Sequence, residues 1–222
     1  MSAAAPMLAA RGVTRRFGAH VALQPTELEI RDGEVVALIG PNGAGKSTLL
    51  AILAGALEPS EGRVERREGV RTGWMPQRPA HYGRLSARQN LVLFAELERE
   101  PDPASVAGRL LRSLELPDDD RPASNLSVGN RQRLDLAIAM LASPNALLLD
   151  EPTAALDPRQ RRRLWEAAAG LREHGGSVVL VTQNVEDLER VADRVVVLLE
   201  GRLVFEGTVK EYRASEAAEA LT

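Results

Sequence analysis

The sequence of 222 residues contains no cysteine. Without cysteine the chain can form neither a disulfide framework nor a thiolate metal site, so zinc and iron–sulfur centres lack their usual ligands. The composition suits a reducing compartment. The first residues also lack the cationic stretch and sustained apolar run of a secretory signal, so the expected location is the cytoplasm.

Long apolar runs are missing as well. The sequence has no run of about 18 apolar residues, and its apolar segments are short ones such as residues 195–199. The chain is therefore not expected to span a bilayer, and any role at a membrane needs a separate membrane-spanning partner. The 44% of hydrophobic residues still suffice to build a real core.

Positive charge does not exceed negative charge, and lysine is scarce. The formal net charge is -3, whereas a general nucleic-acid binder needs a basic face that neutralises phosphates. No nucleic-acid partner is expected. Nearly all cationic side chains are arginine, because Lys46 and Lys210 are the two lysines in the chain. A lysine at a required motif position is therefore informative.

What the sequence does contain is a series of short apolar segments typical of buried parallel strands. They are residues 35–39, 146–149, 178–181 and 195–199. Segments of helical character separate them, and this alternation predicts an α/β fold with a mainly parallel sheet. Residues 8–30 alternate in polarity and predict an N-terminal antiparallel β subdomain, and residues 203–205 predict a closing hairpin.

Between residues 79 and 144 the strand signal disappears. Residues 87–99 and 105–116 instead carry apolar residues at helical spacing, which predicts an inserted α-helical subdomain. We therefore expect one domain over residues 1–222. Its catalytic core comprises residues 1–78 and 145–222, and its helical subdomain comprises residues 79–144.

Residues 40–48 read GPNGAGKST and match G-x-x-x-x-G-K-[ST] between a predicted strand and a helix predicted over residues 47–56. In such a P-loop the backbone wraps a phosphate, and N–H groups at the helix N-terminus attract it. Lys46 is predicted to contact the β- and γ-phosphates of ATP, and Ser47 to hold Mg²⁺. A chance glycine-rich turn is the alternative, which the strand–loop–helix context disfavours. The predicted nucleotide-binding residues here are Gly40, Pro41, Asn42, Gly43, Ala44, Gly45, Lys46, Ser47 and Thr48.

Two carboxylates follow the apolar residues 147–149. Asp150 is predicted to bind Mg²⁺, through water or together with Ser47, and Glu151 to act as general base on the attacking water. A pair of surface acids at a strand end is the alternative. The P-loop beside them favours a P-loop NTPase core.

With these motifs, the chain resembles the ATP-binding-cassette (ABC) ATPase family over nearly its whole length. Residues 126–133, LSVGNRQR, are similar to the family signature LSGGQ with its basic extension. In the family this signature caps the ATP held by the opposite subunit. The resemblance therefore implies that Ser127, Gly129 and Asn130 contact the partner's nucleotide. Val128 and Asn130 replace the family's glycine and glutamine.

Four further positions stand in the family's order. The resemblance implies that Phe17 stacks on adenine, and that Gln77 reaches Mg²⁺ and the attacking water while its loop bears on the membrane partner. Asp157 is similar to the polar contact of a loop between the two nucleotide sites. Without the family, Phe17 would be a core residue and Asp157 a helix start. Gln183 replaces a histidine and can donate and accept hydrogen bonds but cannot carry positive charge.

The resemblance implies an ATP-binding and ATP-hydrolysing subunit that powers a transporter from the inner face of the cell membrane. Its expected partners are a transmembrane permease and a second ABC ATPase subunit, in a homodimer or a heterodimer. Residues 85–97 are expected to receive the partner's coupling helix, with Arg88 and Leu91 facing it. Residues 85–91 are similar to those of exporter subunits, so export is expected.

Two other functions remain open. A soluble ABC ATPase that acts on nucleic acid or ribosomes usually carries two cassettes, long coiled coils or zinc modules, and the sequence has none of these. A regulatory cassette that holds ATP without turning it over is suggested by Val128 and Gln183. The retained Glu151 argues against it.

Overall fold

Two sheets organise the computed structural model of the chain, which describes residues 5–153, 156–182 and 189–219. The strands, in chain order, are β1 (Leu8–Phe17), β2 (His20–Ile30), β3 (Val35–Ile39), β4 (Glu61–Arg66), β5 (Thr72–Met75), β6 (Ala146–Asp150), β7 (Ser177–Val181), β8 (Arg194–Leu199) and β9 (Arg202–Gly207). An antiparallel sheet has the order β2-β1-β4, and a six-stranded sheet has the order β5-β6-β7-β3-β8-β9. Within the larger sheet every pairing is parallel except that of β8 with β9.

The helices lie around these sheets. They include α1 (Lys46–Ala54), α2 (Ala87–Leu97), α3 (Pro103–Ser113), α4 (Val128–Ala139), α5 (Pro158–Glu173), α6 (Val209–Arg213) and α7 (Glu216–Glu219), with a 3₁₀ turn at Ala123–Asn125. From α2 to α4 the chain is helix and loop, as the loss of strand signal predicted. Among the residues that the structure describes, no helix is both long and apolar enough to cross a membrane.

The central strand β3 has a separate hydrophobic core on each of its faces. Val35, Ala37 and Ile39 pack into the core that α2, α3, α4 and α5 cover. Val36 and Leu38 point the other way, into the core shared with α1 and the antiparallel sheet. All five residues are buried, which is why the strand is apolar at every position rather than at alternate ones.

The predicted fold class is confirmed, with some boundaries displaced. Helix α1 ends at Ala54 rather than residue 56, because Gly55 takes a left-handed φ of 79° and closes the helix. Strand β4 was not predicted: its sequence EGRVER is polar and mostly exposed, so it carries no apolar alternation. The division into core residues 1–78 and 145–222 and helical residues 79–144 stays a prediction.

The sheet order places the predicted site residues at one edge. Strand β7 lies between β3 and β6, and all three run in the same direction. Their carboxyl ends therefore meet. The P-loop follows β3, and Asp150 and Glu151 stand at the end of β6, at the edge of parallel sheets where ligands bind.

Two glycines test how tightly the helices pack on the sheet. A Cβ at Gly73 of β5 would lie 2.0 Å from the backbone oxygen of Ala139 at the end of α4, whereas a Cβ at Gly170 of α5 would meet no atom within 4 Å. We expect Gly73→Ala to lower the free energy of unfolding by about 1–3 kcal/mol, because α4 must shift. Gly170→Ala should raise it by up to about 1 kcal/mol, since alanine favours helix. Urea denaturation measures both, and an unchanged stability of Gly73→Ala would contradict this packing.

Candidate nucleotide and magnesium site

The P-loop backbone passes too close to its neighbours for side chains at two positions. Gly40 has φ 148°, and a Cβ there would lie 2.1 Å from the carbonyl oxygen of Leu198. Gly45 has φ 97°, and its Cβ would lie 2.5 Å from the carbonyl oxygen of Ala22. Glycine is thus required for the turn from β3 into α1.

The N-terminus of α1 has no side-chain cap. Other helices begin at a residue whose side chain accepts a hydrogen bond from a backbone N–H of the first turn: Ser86, Asp102, Ser127, Asp157 and Thr208. The cap position before α1 is Gly45, which has no side chain to offer. The first N–H groups of a helix need acceptors, and the helix dipole favours an anion there. Phosphate oxygens are suitable acceptors for this end of α1.

Lys46, the first residue of α1, is 6% exposed. Its Nζ donates to the carbonyl oxygens of Gly40 at 2.8 Å and Pro41 at 2.9 Å, so the ammonium lies against the loop. Burial lowers the pKa of Lys46, and the charges of Glu151 and Asp150 oppose that shift. The site therefore places a positive charge beside the uncapped helix end.

Asp150 ends β6 and is 4% exposed. Burial raises the pKa of Asp150, the hydrogen bond with Ser47 lowers it, Glu151 raises it and Lys46 lowers it, and the net shift is upward. Its Oδ1 is buried and has no hydrogen-bond partner within the described part of the chain. A buried carboxylate oxygen beside the Ser47 hydroxyl is the donor set that Mg²⁺ prefers, so the residues present fit the ion.

A cavity of about 280 Å³ joins three of the predicted catalytic and metal residues. Gln77, Asp150 and Glu151 line it together with Gln132 of α4. The sequence motifs indicated no role for Gln132. Its Nε2 donates to the backbone oxygen of Glu151 at 3.1 Å, a contact between distant segments for which the sequence has no local signal.

The signature residues lie at the start of α4. The Oγ of Ser127 accepts from the backbone N–H of Asn130 at 3.2 Å, and its hydroxyl hydrogen can still be donated to another group. The side-chain oxygen of Asn130 accepts from Arg133. Gly129 is buried, and a Cβ there would lie 2.6 Å from Oε1 of Gln160. Their contact with a second subunit's nucleotide stays a prediction.

The exposure of Phe17 and the hydrogen bonding of Asp157 define their local roles. Phe17 is 48% exposed, with the guanidinium carbon of Arg15 4.6 Å from the ring centroid, so it is a surface ring and not a core residue. Asp157 accepts from the N–H of Gln160 at 2.9 Å and starts α5 as its cap. The further roles of both residues stay predictions. Gln183 lies outside the described residues.

One expectation for the partner-facing helix is wrong. Leu91 of α2 is fully buried, on the same face as Ala87 and Ala95, because residues four apart line one side of a helix. It belongs to the core and cannot contact a partner. Arg88 does lie at the surface, where its Nε donates to Asp118 at 2.7 Å.

This geometry defines a P-loop nucleoside triphosphatase. The glycine-rich turn leads into an uncapped helix beside a buried ammonium, and two carboxylates stand at the end of β6 in the same parallel sheet. The family model for ABC transporters matches residues 23–154. The chain belongs to this family and is one of its ATP-binding subunits, an ATPase.

Known relatives include proteins named for resistance and for import. The chain is 37% identical over 223 residues to the daunorubicin resistance ATP-binding protein DrrA3 of Streptomyces coeruleorubidus, an alignment that covers 95% of this chain and 71% of DrrA3. It is 36% identical over 225 residues to the ribose import ATP-binding protein RbsA 2 of Rubrobacter xylanophilus, covering 90% of this chain and 42% of that one.

Solved cassettes have the same fold. The dimeric structure of the ATP-binding cassette MJ0796 in a post-hydrolysis state with ADP and Pi superposes with a TM-score of 0.81 at 26% identity, covering 91% of this chain and 99% of that one. An ATP binding subunit of an ABC transporter superposes with a TM-score of 0.84 at 26% identity, covering 97% and 99%.

The two lysines allow a matched test of the site. We expect Lys46→Ala to weaken Mg-ATP binding at least about tenfold, because a charge-assisted contact with the phosphates is lost. Lys210→Ala, at an exposed position of α6, should bind as the unmodified chain does. Isothermal titration calorimetry measures both affinities. An affinity of Lys46→Ala within about threefold of the unmodified chain would remove Lys46 from the site.

Proposed function

We propose that this subunit hydrolyses ATP in a pair of cassettes and thereby drives export through a separate transmembrane permease. One observation carries the proposal: the uncapped start of α1 and the buried Lys46 stand beside the Asp150–Ser47 pair. This arrangement suits the phosphates of Mg-ATP, with a second carboxylate, Glu151, next to it.

The side chains divide the chemistry between them. The loop N–H groups and Lys46 bind and orient the phosphates of ATP. Glu151 accepts a proton from the attacking water as the water oxygen bonds to the γ-phosphorus, and the bond from that phosphorus to the bridging oxygen breaks, which releases ADP and phosphate. Ser47, Asp150 and Gln77 would hold Mg²⁺. When bound, the ion neutralises charge on the phosphate oxygens.

The second cassette completes the site. Ser127 stands at the exposed N-terminus of α4 with a hydroxyl hydrogen to donate, so it suits the γ-phosphate of an ATP held by the partner. The buried Gly129, through its backbone N–H, and the half-buried Asn130 belong to the same first turn of α4. Phe17 would stack on adenine from its own subunit, and Asp157 would lie between the two nucleotides. The dimeric form of the similar MJ0796 cassette supports the pairing of two cassettes.

The membrane partner is proposed to dock beside α2, with the subunit on the cytoplasmic face of the membrane. Tyr82, just after the loop of Gln77, is 56% exposed and stacks on Phe94 of α2 at a centroid distance of 5.9 Å. Leu97, at the end of α2, is 66% exposed. Exposed apolar side chains at and next to α2 suit a protein partner. No nucleic-acid partner is proposed.

The proposal also specifies a direction of transport, which is export. The similarity of residues 85–91 to exporter subunits supports it, and so does the similarity to DrrA3, whose name records drug resistance. Import is favoured by the comparable similarity to RbsA 2, whose name records ribose import. The direction of transport therefore has to be measured.

The subunit purified in mild detergent with its permease and reconstituted in inside-out vesicles tests the function. Added ATP should be hydrolysed and should load daunorubicin, used as an export probe, into the lumen.

Glu151→Gln should still bind ATP but lose both activities, because the base is gone while the phosphate contacts stay. Glu68→Gln, on an exposed turn, is the control. Normal turnover in Glu151→Gln would exclude Glu151 as the base, and ATP-driven release of preloaded ribose would establish import.

Gln183 is proposed to hydrogen-bond the γ-phosphate and hold the water for Glu151. On this basis Gln183→Ala should lower kcat of the assembled complex at least about tenfold, equal to about 1.4 kcal/mol of transition-state stabilisation, with ATP affinity little changed. Gln183→His should keep or raise the rate. A kcat unchanged by Gln183→Ala would instead favour a degenerate, regulatory site whose partner cassette carries the working histidine.

A further inference from the structure

Glu151 holds an unfavourable backbone conformation. Its φ is 50°, in the left-handed region that residues with a Cβ rarely adopt, and Pro152 follows it. A residue before proline is restricted further, towards extended backbone. Such conformations cost about 1–3 kcal/mol and persist where the surroundings enforce them.

Two hydrogen bonds from different parts of the fold hold this residue. The N–H of Glu151 donates to the carbonyl oxygen of Val181 on β7 at 3.0 Å. Its carbonyl oxygen accepts from Nε2 of Gln132 on α4 at 3.1 Å. The sheet fixes one side of the residue, and the helix that begins at Ser127 fixes the other.

The other end of the Gln132 amide is not satisfied. Its Oε1 is buried and accepts no hydrogen bond from any residue that the structure describes. An unsatisfied buried acceptor costs about 1–3 kcal/mol, so an apolar residue of similar length would suit the packing of α4 better. The amide is therefore best explained by the bond that it donates to Glu151.

One turn further along α4, Asp135 contacts the loop that follows Gln77. Its Oδ1 accepts from the backbone N–H groups of Ala80 at 3.0 Å and His81 at 3.1 Å, just beyond Gln77. Gln132 and Asp135 are three residues apart, so they share a face of the helix, and both line the cavity with Gln77 and Glu151. Helix α4 thus contacts the two loops proposed to hold the attacking water.

We propose that Gln132 is a positioning residue that fixes the orientation of Glu151 from α4 of the same chain. The inference rests on the proposed role of Glu151 as general base. Because Ser127 starts the same helix, a nucleotide bound to Ser127 from the partner subunit would also set the position of Gln132. The base would then be aligned in the cassette whose α4 is engaged by the partner's ATP.

Gln132→Met keeps the length of the side chain and removes the donor. We expect kcat for ATP hydrolysis to fall at least about tenfold, while KM and the affinity for Mg-ATP stay within about twofold. The thermal midpoint should be unchanged or higher, because the unsatisfied Oε1 is also removed. Gln24→Met in β2 is the matched control, since Gln24 is half-buried and does not line the cavity of Gln77, Asp150 and Glu151. It should hydrolyse ATP normally.

A second variant separates loss of the Gln132–Glu151 hydrogen bond from an effect on folding. Gln132→Asn keeps the amide but is one methylene too short for the 3.1 Å contact, so it should lose kcat in the same way. A kcat of either folded variant within about twofold of the unmodified chain overturns the proposal. So does a loss of kcat accompanied by an equal loss of Mg-ATP affinity and a lower thermal midpoint, which marks a structural role. An unmodified complex that fails to hydrolyse ATP refutes the proposed function instead, and this inference with it.

Discussion

The active end of the molecule depends on two opposite charges held out of water next to each other. Burial lowers the pKa of Lys46 and raises that of Asp150, and each charge stabilises the charged form of the other. Lys46 is fixed at the start of α1, and Asp150 at the end of β6. The relative placement of that helix and that strand decides whether the phosphates and the metal can be bound in one place.

The larger sheet supplies that placement. Parallel β3, β7 and β6 bring the P-loop and the carboxylate pair to a common edge, and a core on each face keeps the strands from shifting. Helix α4 crosses from this edge to the surface: Gln132 reaches the backbone of Glu151, while Ser127 stands exposed at its N-terminus. The helix thereby connects the hydrolytic residues with the surface proposed to meet a second cassette.

The sequence predicted the strands and motifs that are marked by a short, continuous stretch of residues. Apolar runs marked β3, β6, β7 and β8, and the strand–loop–helix context of Lys46 marked the phosphate site. Polar β4 was missed because its residues pair with β1 through the backbone and carry no apolar pattern. Leu91 was misplaced because apolar spacing identifies the buried face of a helix, not the face that meets a partner. Gln132 could not be assigned because its role depends on a contact between segments far apart in sequence.

The central claim is that two copies of this fold share each nucleotide. Amide hydrogen exchange on the purified chain tests it most directly. With Mg²⁺ and a non-hydrolysable ATP analogue, the account predicts slower amide exchange in residues 40–49 and also in residues 126–131. Protection of residues 126–131 should grow with protein concentration, because it depends on the second copy. Protection confined to residues 40–49 at every concentration would contradict the account, since the start of α4 would then have no part in binding ATP.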